Sequence, residues 1–200
     1  KTVTTTTLFD SLGNAVDQTS ETSVYKNSAL TVASKRVIHN SNFDTLGNAL
    51  SQTVISYLVD FPAGVRTDTM VTYQEFTNRT FDATKNVVNQ MVATYNKDTG
   101  TGKVLLDVQE MRSSNFTSSG VAGHQEIVTF SDLTRTTITG VSIIDNSNIS
   151  SSGNVGTSVV TRYSTATIAD NPAYTGTQDG AITVLDLNKI DQRTITTTLF

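Results

Sequence analysis

Cysteine and tryptophan are absent from this chain, and proline occurs only twice in 200 residues. Without cysteine there are no disulfides and no thiolate metal sites. Charge is also scarce: 16 % of residues are charged and the formal net charge is −4. That balance argues against a nucleic-acid-binding surface, and no run of like charge forms a membrane patch. No stretch approaches the roughly 18 consecutive apolar residues that a membrane span needs, and no signal-peptide pattern is present. The apolar fraction, 36 %, lies below the globular norm. Threonine, serine and asparagine fill the gap, with 36 threonines. So much β-branched polar residue suits exposed strands. The steady supply of Val, Ile, Tyr and Phe argues against simple disorder. Two hundred residues can bury a sizeable core in one domain.

What the chain has in place of these is a repeat. Taking the leading residue as position 0, five anchors recur: Phe9, Phe43, Phe81, Phe116 and Ile149. Position +6 is Ala15, Ala49, Val87, Ala122 and Val155. Position +9 is Gln18, Gln52, Gln90 and Gln125, then Ser158. Position +14 is Tyr57, Tyr95, Phe130 and Tyr163, with Ser23 in the first unit. Asp follows the anchor in three units (Asp10, Asp44, Asp82), giving way to Thr117 and Ser150. Gly holds position +4 in four units (Gly13, Gly47, Gly120, Gly153), and Lys85 replaces it in the third.

Anchor spacings are 34, 38, 35 and 33 residues, and a gap of 51 leads to Phe200. The segment Thr194–Phe200 resembles the opening Val3–Phe9. The expected organisation is a single repeat array over 1–200, with units near 1–33, 34–70, 71–107, 108–140 and 141–187 and a further start at 188–200. Two readings fit: a window in a longer tandem array, or a subunit whose end meets the next subunit's start.

Each unit reads as strand, turn, strand. The Asp-x-x-Gly-Asn step is turn chemistry, because Asp bonds its own backbone two residues on and Gly supplies a positive φ. Strand, short Gly-bearing loop and strand together signal a hairpin. Outgoing strands are expected at 2–9, 36–43, 70–81, 104–116 and 136–149, and return strands at 15–22, 49–59, 87–95, 125–130 and 155–168. Residues 181–187 and 193–200 follow as further strands, and the long gap has room for one degenerate hairpin. Asp82–Tyr95 has i,i+4 apolar spacing but aligns with the other units, so it reads as turn and strand. The glutamines at +9 suit an amide ladder between stacked units. They equally suit solvated side chains.

No motif for catalysis survives inspection. Asp98-Thr99-Gly100-Thr101 matches the short signature of an aspartic-protease carboxylate, but Asn96 and Lys97 precede it and no second copy exists. His39 and His124 lack metal-ligand spacing. Asp10, Asp44 and Asp82 offer one carboxylate per loop, which favours turn chemistry over Ca²⁺. Asn78, Asn115 and Asn148 head sequons, which arise freely in this composition. No catalytic, cofactor-binding or metal-ligating residue is assigned, and the expectation is a non-enzyme without cofactor.

The phrase Phe-Asp-x-Leu-Gly-Asn-x-x-x-Gln-Thr at Phe9–Thr19 and Phe43–Thr53 resembles the YD repeat of RHS and teneurin-type proteins. Their pattern is Tyr-Asp, a Gly-Asn or Gly-Arg turn and a Thr-rich return strand. Here Phe stands where that family has Tyr. In Phe81–Met91 Thr84-Lys85-Asn86 replaces the turn, and in the last two units the match is positional. The resemblance implies antiparallel hairpins winding into a spiral sheet that can close as a hollow shell, in large secreted or cell-surface proteins. Asp10–Asn14 is also similar to a phrase in flagellar hook proteins, where it occurs once.

The expectation is therefore an all-β protein of tandem antiparallel hairpins, period about 33–38 residues, in one continuous curled or spiral sheet. Its expected role is structural, in an extracellular or cell-surface shell, stalk or fibre. Its expected partners are neighbouring repeats or identical subunits at exposed sheet edges. A self-assembling filament subunit is the alternative in that class. A carbohydrate- or receptor-binding adhesin is the rival, using the loops Asp60–Asp68 and Asp170–Gly180, which carry Phe61 and Tyr174.

Overall fold

The structure is a computed structural model and describes residues 1–26, 28–96, 102–173 and 178–197. Eleven strands form one antiparallel sheet in the order β1-β2-β3-β4-β5-β6-β7-β8-β9-β10-β13, open at β1 and β13. The strands are β1 (Thr2–Phe9), β2 (Ala15–Lys26), β3 (Ala29–Phe43), β4 (Ala49–Asp60), β5 (Thr67–Phe81), β6 (Val87–Asn96) and β7 (Val104–Phe116). They continue as β8 (Ala122–Phe130), β9 (Ile138–Ile149), β10 (Val155–Tyr163), β11 (Thr167–Ile168), β12 (Ile182–Thr183) and β13 (Lys189–Thr196). The all-β, consecutive-hairpin expectation holds. Asp82–Asn86 is a turn and β6 a strand, as the alignment of the units required.

Each repeat anchor is the last residue of an outgoing strand. In the first hairpin Asp10 N donates to Asn14 O at 3.0 Å and Gly13 N to Asp10 O at 3.2 Å, which closes a three-residue loop with a left-handed last residue. That residue is glycine with φ between 78° and 87° in four units, and Lys85 with φ 68° in the third. A Cβ at such a φ costs about 1 kcal/mol. Lys85→Gly is accordingly expected to raise the urea midpoint, by about 1 kcal/mol in stability. An unchanged or lower midpoint would show that the lysine side chain contributes more than its backbone costs.

A second left-handed site lies at −1, where Asn42, Asn115 and Asn148 have φ of 53°, 55° and 54°. In two of these units a glycine sits at +7 against the asparagine. An added Cβ would lie 2.8 Å from Asn115 O at Gly123 and 2.9 Å from Asn148 O at Gly156. Two of the sequon asparagines are thus backbone devices, since asparagine tolerates this conformation.

The register repeats as well. Between units, position +8 pairs with −4 of the next anchor: Asp17 with His39, Ser51 with Thr77, and His124 with Asp145. Within a unit, −3 pairs with +9: Thr6 with Gln18, Asn40 with Gln52, and Ser113 with Gln125. A period of two in side-chain direction makes such constancy necessary, because a one-residue slip would turn every side chain to the other face.

The chain divides into two compact units, 1–77 with 93–106 and 78–92 with 107–200. In the first, Val54, Val59, Ala93 and Tyr95 are buried. In the second, Val92, Val108, Ala122, Val128, Phe130, Val141 and Ile182 are buried.

One stretch departs from the expectation. Residues 155–168 do not form one strand, and of 181–187 only Ile182–Thr183 is strand. β10 stops at Tyr163, Ser164 N donates to Asn188 O at 2.8 Å, and β13 takes up the ladder with Tyr163 opposite Lys189. Residues 164–188 therefore form an excursion that leaves and re-enters the sheet at one point. Among its described residues it holds only the two-residue strands β11 and β12, paired with each other, and a 3-10 turn at Asp186–Asn188. Pro172, which has no N–H to give to a ladder, lies inside it. This excursion accounts for the gap of 51 residues. Phe200, the sixth anchor of the pattern, lies outside the described residues.

Candidate functional site

The most regular surface is the ridge of hairpin turns. Asp10 Oδ1 accepts from Leu12 N at 2.9 Å and Asn14 N at 2.8 Å, while Oδ2 accepts from Asn14 Nδ2 at 2.8 Å. Asp44 repeats this with Leu46 N and Asn48, and Asp82 with Thr84 N and Asn86. The carboxylates are engaged by their own turns, as turn chemistry predicts. Among the described residues no group of three or more His, Cys, Asp or Glu stands together in metal-binding geometry. Within each compact unit adjacent turns touch: a Cβ on Gly47 would lie 2.5 Å from Asn14 Oδ1, and one on Gly120 3.2 Å from Asn86 Oδ1. A polar groove between two turns is lined by Thr84, Asn86, Thr117, Ser118, Ser119 and Gly120.

These bonds lower the pKa of the turn carboxyls at Asp10 and Asp82. The Asn14 side chain holds the Asp10 carboxyl below its ordinary value of 3.8, and the Asn86 side chain does the same for Asp82. The sign follows from linkage: a folded pKa below the unfolded one adds stability above pH 3.8 that is lost as pH falls through the folded value. Carboxyl ¹³C shifts should therefore titrate with midpoints under 3.8 at Asp10 and Asp82, and Asn14→Ala should move Asp10 back toward 3.8. A midpoint at or above 3.8 in the unaltered chain would contradict the turn geometry.

The repeated glutamines form cross-strand bonds. Gln18 Nε2 donates to Thr6 Oγ1 at 3.2 Å, Gln52 to Asn40 Oδ1 at 2.7 Å, Gln90 to Asn78 Oδ1 at 2.6 Å and Gln125 to Ser113 Oγ at 3.2 Å. The asparagine at −3 then reaches the preceding unit: Asn40 Nδ2 donates to Ala15 O at 3.0 Å and Asn146 Nδ2 to Ala122 O at 3.0 Å. The glutamines are thus more than solvated side chains, but the expected amide ladder between stacked units is replaced by bonds within each unit, two of them to hydroxyls, because +9 faces −3 of its own unit. Asn78, head of the first sequon, is buried among these bonds.

The second compact unit also contains a buried charge cluster. Glu110 on β7 is 0 % exposed. Its Oε1 accepts from Arg79 Nη2 at 2.8 Å and Arg135 Nη1 at 2.5 Å, and its Oε2 from Arg79 Nη1 at 2.8 Å and Arg112 Nη1 at 2.9 Å. Arg112, Arg135 and Asn89, whose Oδ1 accepts from Arg79 Nη1 at 2.9 Å, hold three successive carbonyls of the 164–188 excursion. Arg135 Nη1 donates to Gln178 O at 3.0 Å, Asn89 Nδ2 to Asp179 O at 2.7 Å, and Arg112 Nε to Gly180 O at 2.7 Å. Burial pulls the Arg112 guanidinium down and Glu110 opposes that shift.

In the first compact unit Lys103 Nζ lies 4.2 Å from the Tyr73 ring centroid and 4.9 Å from that of Tyr95, with Glu75 Oε1 at 2.5 Å. Burial pushes the Glu75 carboxyl up, but the Lys103 and Tyr95 hydrogen bonds outweigh it and the net direction is down.

The histidines, which lack metal-ligand spacing in sequence, meet aspartates across strands, and His124 Nε2 also lies 3.8 Å from Glu126 Oε1 on its own strand. His39 Nδ1 is 2.6 Å from Asp17 Oδ1, and His124 Nδ1 is 2.6 Å from Asp145 Oδ1. Both are the +8/−4 pair of the lattice, with histidine and aspartate exchanged. Asp98–Thr101, the protease-like phrase, and Tyr174 lie outside the described residues. Phe61 borders a recess lined by Val24, Ala29, Val32, Val59 and Asp60. No described helix is long and apolar enough to cross a membrane. Compared with known proteins, the chain matches no protein-family model, no curated protein and no solved structure.

Proposed function

We propose that this chain is a structural repeat segment of a large secreted or cell-surface protein, a YD/RHS-like shell, stalk or fibre whose hairpin units extend one sheet and which performs no catalysis. The observation that carries this reading is the register of β13. After an excursion of 25 residues, 164–188, Thr157 at +8 pairs with Thr196, which is −4 from the sixth anchor position. That is the pairing found between earlier units. The strand thus re-enters as the outgoing strand of a sixth unit, and the repeat rule outlasts a break in the sequence.

The same register weighs against the filament alternative. β1 and β13 both occupy the outgoing position, so joining a start to an end without inverting a copy would set two outgoing strands side by side. Such a pair is parallel and breaks the antiparallel rule of the lattice. Among the described residues the adhesin reading draws support only from the recess beside Phe61.

The deciding measurement is the intact mass of the native polypeptide under denaturing conditions. A mass far above 21.5 kDa is expected, together with release of the protein by protease treatment of whole cells. A mass close to 21.5 kDa would sink the repeat-segment reading.

A further inference from the structure

β13 is an edge strand, and all eight of its residues are exposed. Its inner side is paired to β10 in the lattice register. The other internal outgoing strands, β3, β5, β7 and β9, each carry on the opposite side the return strand of their own unit. We infer that the outer edge of β13 is a binding site for an extended segment of the repeat's return type, the return strand of a sixth unit in the longer chain, added antiparallel as a twelfth strand. The inference rests on the repeat-segment reading and adds to it the chemistry of the occupant.

That chemistry follows from what faces each outgoing position in the units already present. Opposite −5 stand Val54, Ile127 and Val160 at +11, with Ser20 in the first unit. In β13 position −5 is Ile195, itself 43 % exposed, so an apolar residue is required there. Opposite −7 stand the hydroxyl residues Thr22, Ser56 and Thr129 at +13, and Thr94 Oγ1 accepts from Gln74 Nε2 at 3.4 Å; the fifth unit differs, with Arg162 opposite Ser142, an arginine that would repel Arg193 if repeated in the occupant. In β13 position −7 is Arg193, and the Arg36–Ser56 pair shows that an arginine fits opposite a hydroxyl. Opposite −8 stand Tyr57, Phe130 and Tyr163 at +14, which places an aromatic ring over Gln192. The −3 position, Thr197, calls for the amide of +9, as Thr6 does for Gln18. The occupant therefore reads amide, any, apolar, any, hydroxyl, aromatic. Gln52-Thr53-Val54-Ile55-Ser56-Tyr57 has that pattern.

A second copy does not supply it. Its return strands β2, β4, β6, β8 and β10 are each paired on both edges, and its β1 and β13 are of the outgoing type. Backbone pairing gives affinity to an added strand, and the alternating side chains give specificity.

The test uses the 200-residue chain and a capped synthetic peptide of the sequence 49–60, followed by amide hydrogen exchange. At saturating peptide the β13 amides should slow at least tenfold while those of β1 are unchanged. A peptide of scrambled order, and one N-methylated along the edge that faces β13, should each bind at least tenfold more weakly. Equal binding by the scrambled peptide, protection of β1 instead of β13, or no protection would overturn the inference. So would protection of β13 that grows with protein concentration in the absence of peptide, because the occupant would then be a second copy. The intact-mass measurement stands apart from these outcomes. A native mass near 21.5 kDa with strong peptide capture would remove the repeat-segment reading and leave the β13 site. A large mass with no capture would do the reverse.

Discussion

Replacing Glu110 by alanine is expected to destabilise the unit formed by 78–92 and 107–200 by about 3–5 kcal/mol. The carboxylate has no contact with solvent and receives four hydrogen bonds from Arg79, Arg112 and Arg135. The three guanidinium groups are themselves only 11–12 % exposed. Removing one partner of a buried pair costs far more than the pair contributes net, because the remaining charge stays buried and uncompensated. Here three remaining charges share that fate, and two of them, Arg112 and Arg135, also hold carbonyls of the 164–188 excursion. The loss should therefore be felt first in that excursion. Limited proteolysis should cut within 164–188 of the alanine variant while the unaltered chain resists, and urea unfolding should give the magnitude. Glu110→Gln keeps the shape and some acceptors, so it should fall between the two. A loss under about 1 kcal/mol, with the excursion still resistant, would mean that water or rearranged partners replace the carboxylate without penalty.

This cluster was illegible in the sequence, and the reason is geometric. Arg79, Glu110, Arg112 and Arg135 come from three different hairpins and acquire meaning only when the register is known. Val108, Glu110 and Arg112 alternate along one face of β7, so a charged pair on a buried face was visible only in retrospect. The His–Asp pairs are a milder case. A search for ligands near in sequence misses them, whereas writing +8 of one unit opposite −4 of the next finds both. The hairpins themselves were legible because the Asp-x-x-Gly-Asn turn is a local device: its hydrogen bonds close within five residues. The 164–188 excursion was not, since its Val-Leu and Thr-Ile content imitates strand composition while its backbone bonds close a loop. The sixth outgoing strand survived that imitation only because its threonine-rich phrase copies the first.

The second large effect is expected at Phe130, and it separates repeat identity from burial. Tyr57, Tyr95, Phe130 and Tyr163 share position +14, and equal roles would give equal costs on truncation. Their surroundings differ. Phe130 is 2 % exposed and lies opposite Val108, which is 0 % exposed, and Ile138. Tyr57 is half-buried, with Lys35 Nζ 5.3 Å from its ring centroid. Phe130→Ala deletes most of a fully buried ring and leaves a cavity, a loss of about 3–5 kcal/mol. Tyr57→Ala removes a ring that water already reaches on one side and should cost about 1 kcal/mol. Urea unfolding of the two variants, with hydrogen exchange to localise each loss, measures the ratio. If the two losses were equal, stability would be set by the lattice position and shared evenly along the sheet, as nearest-neighbour coupling between identical repeats demands. The expected three- to fivefold difference instead places the weight of folding on the 78–92 and 107–200 unit, where the Phe130 side chain and the Glu110 carboxylate both belong. The other unit is then a regular extension of the same hairpins, held by turns and polar cross-strand bonds whose individual contributions are each about 1 kcal/mol.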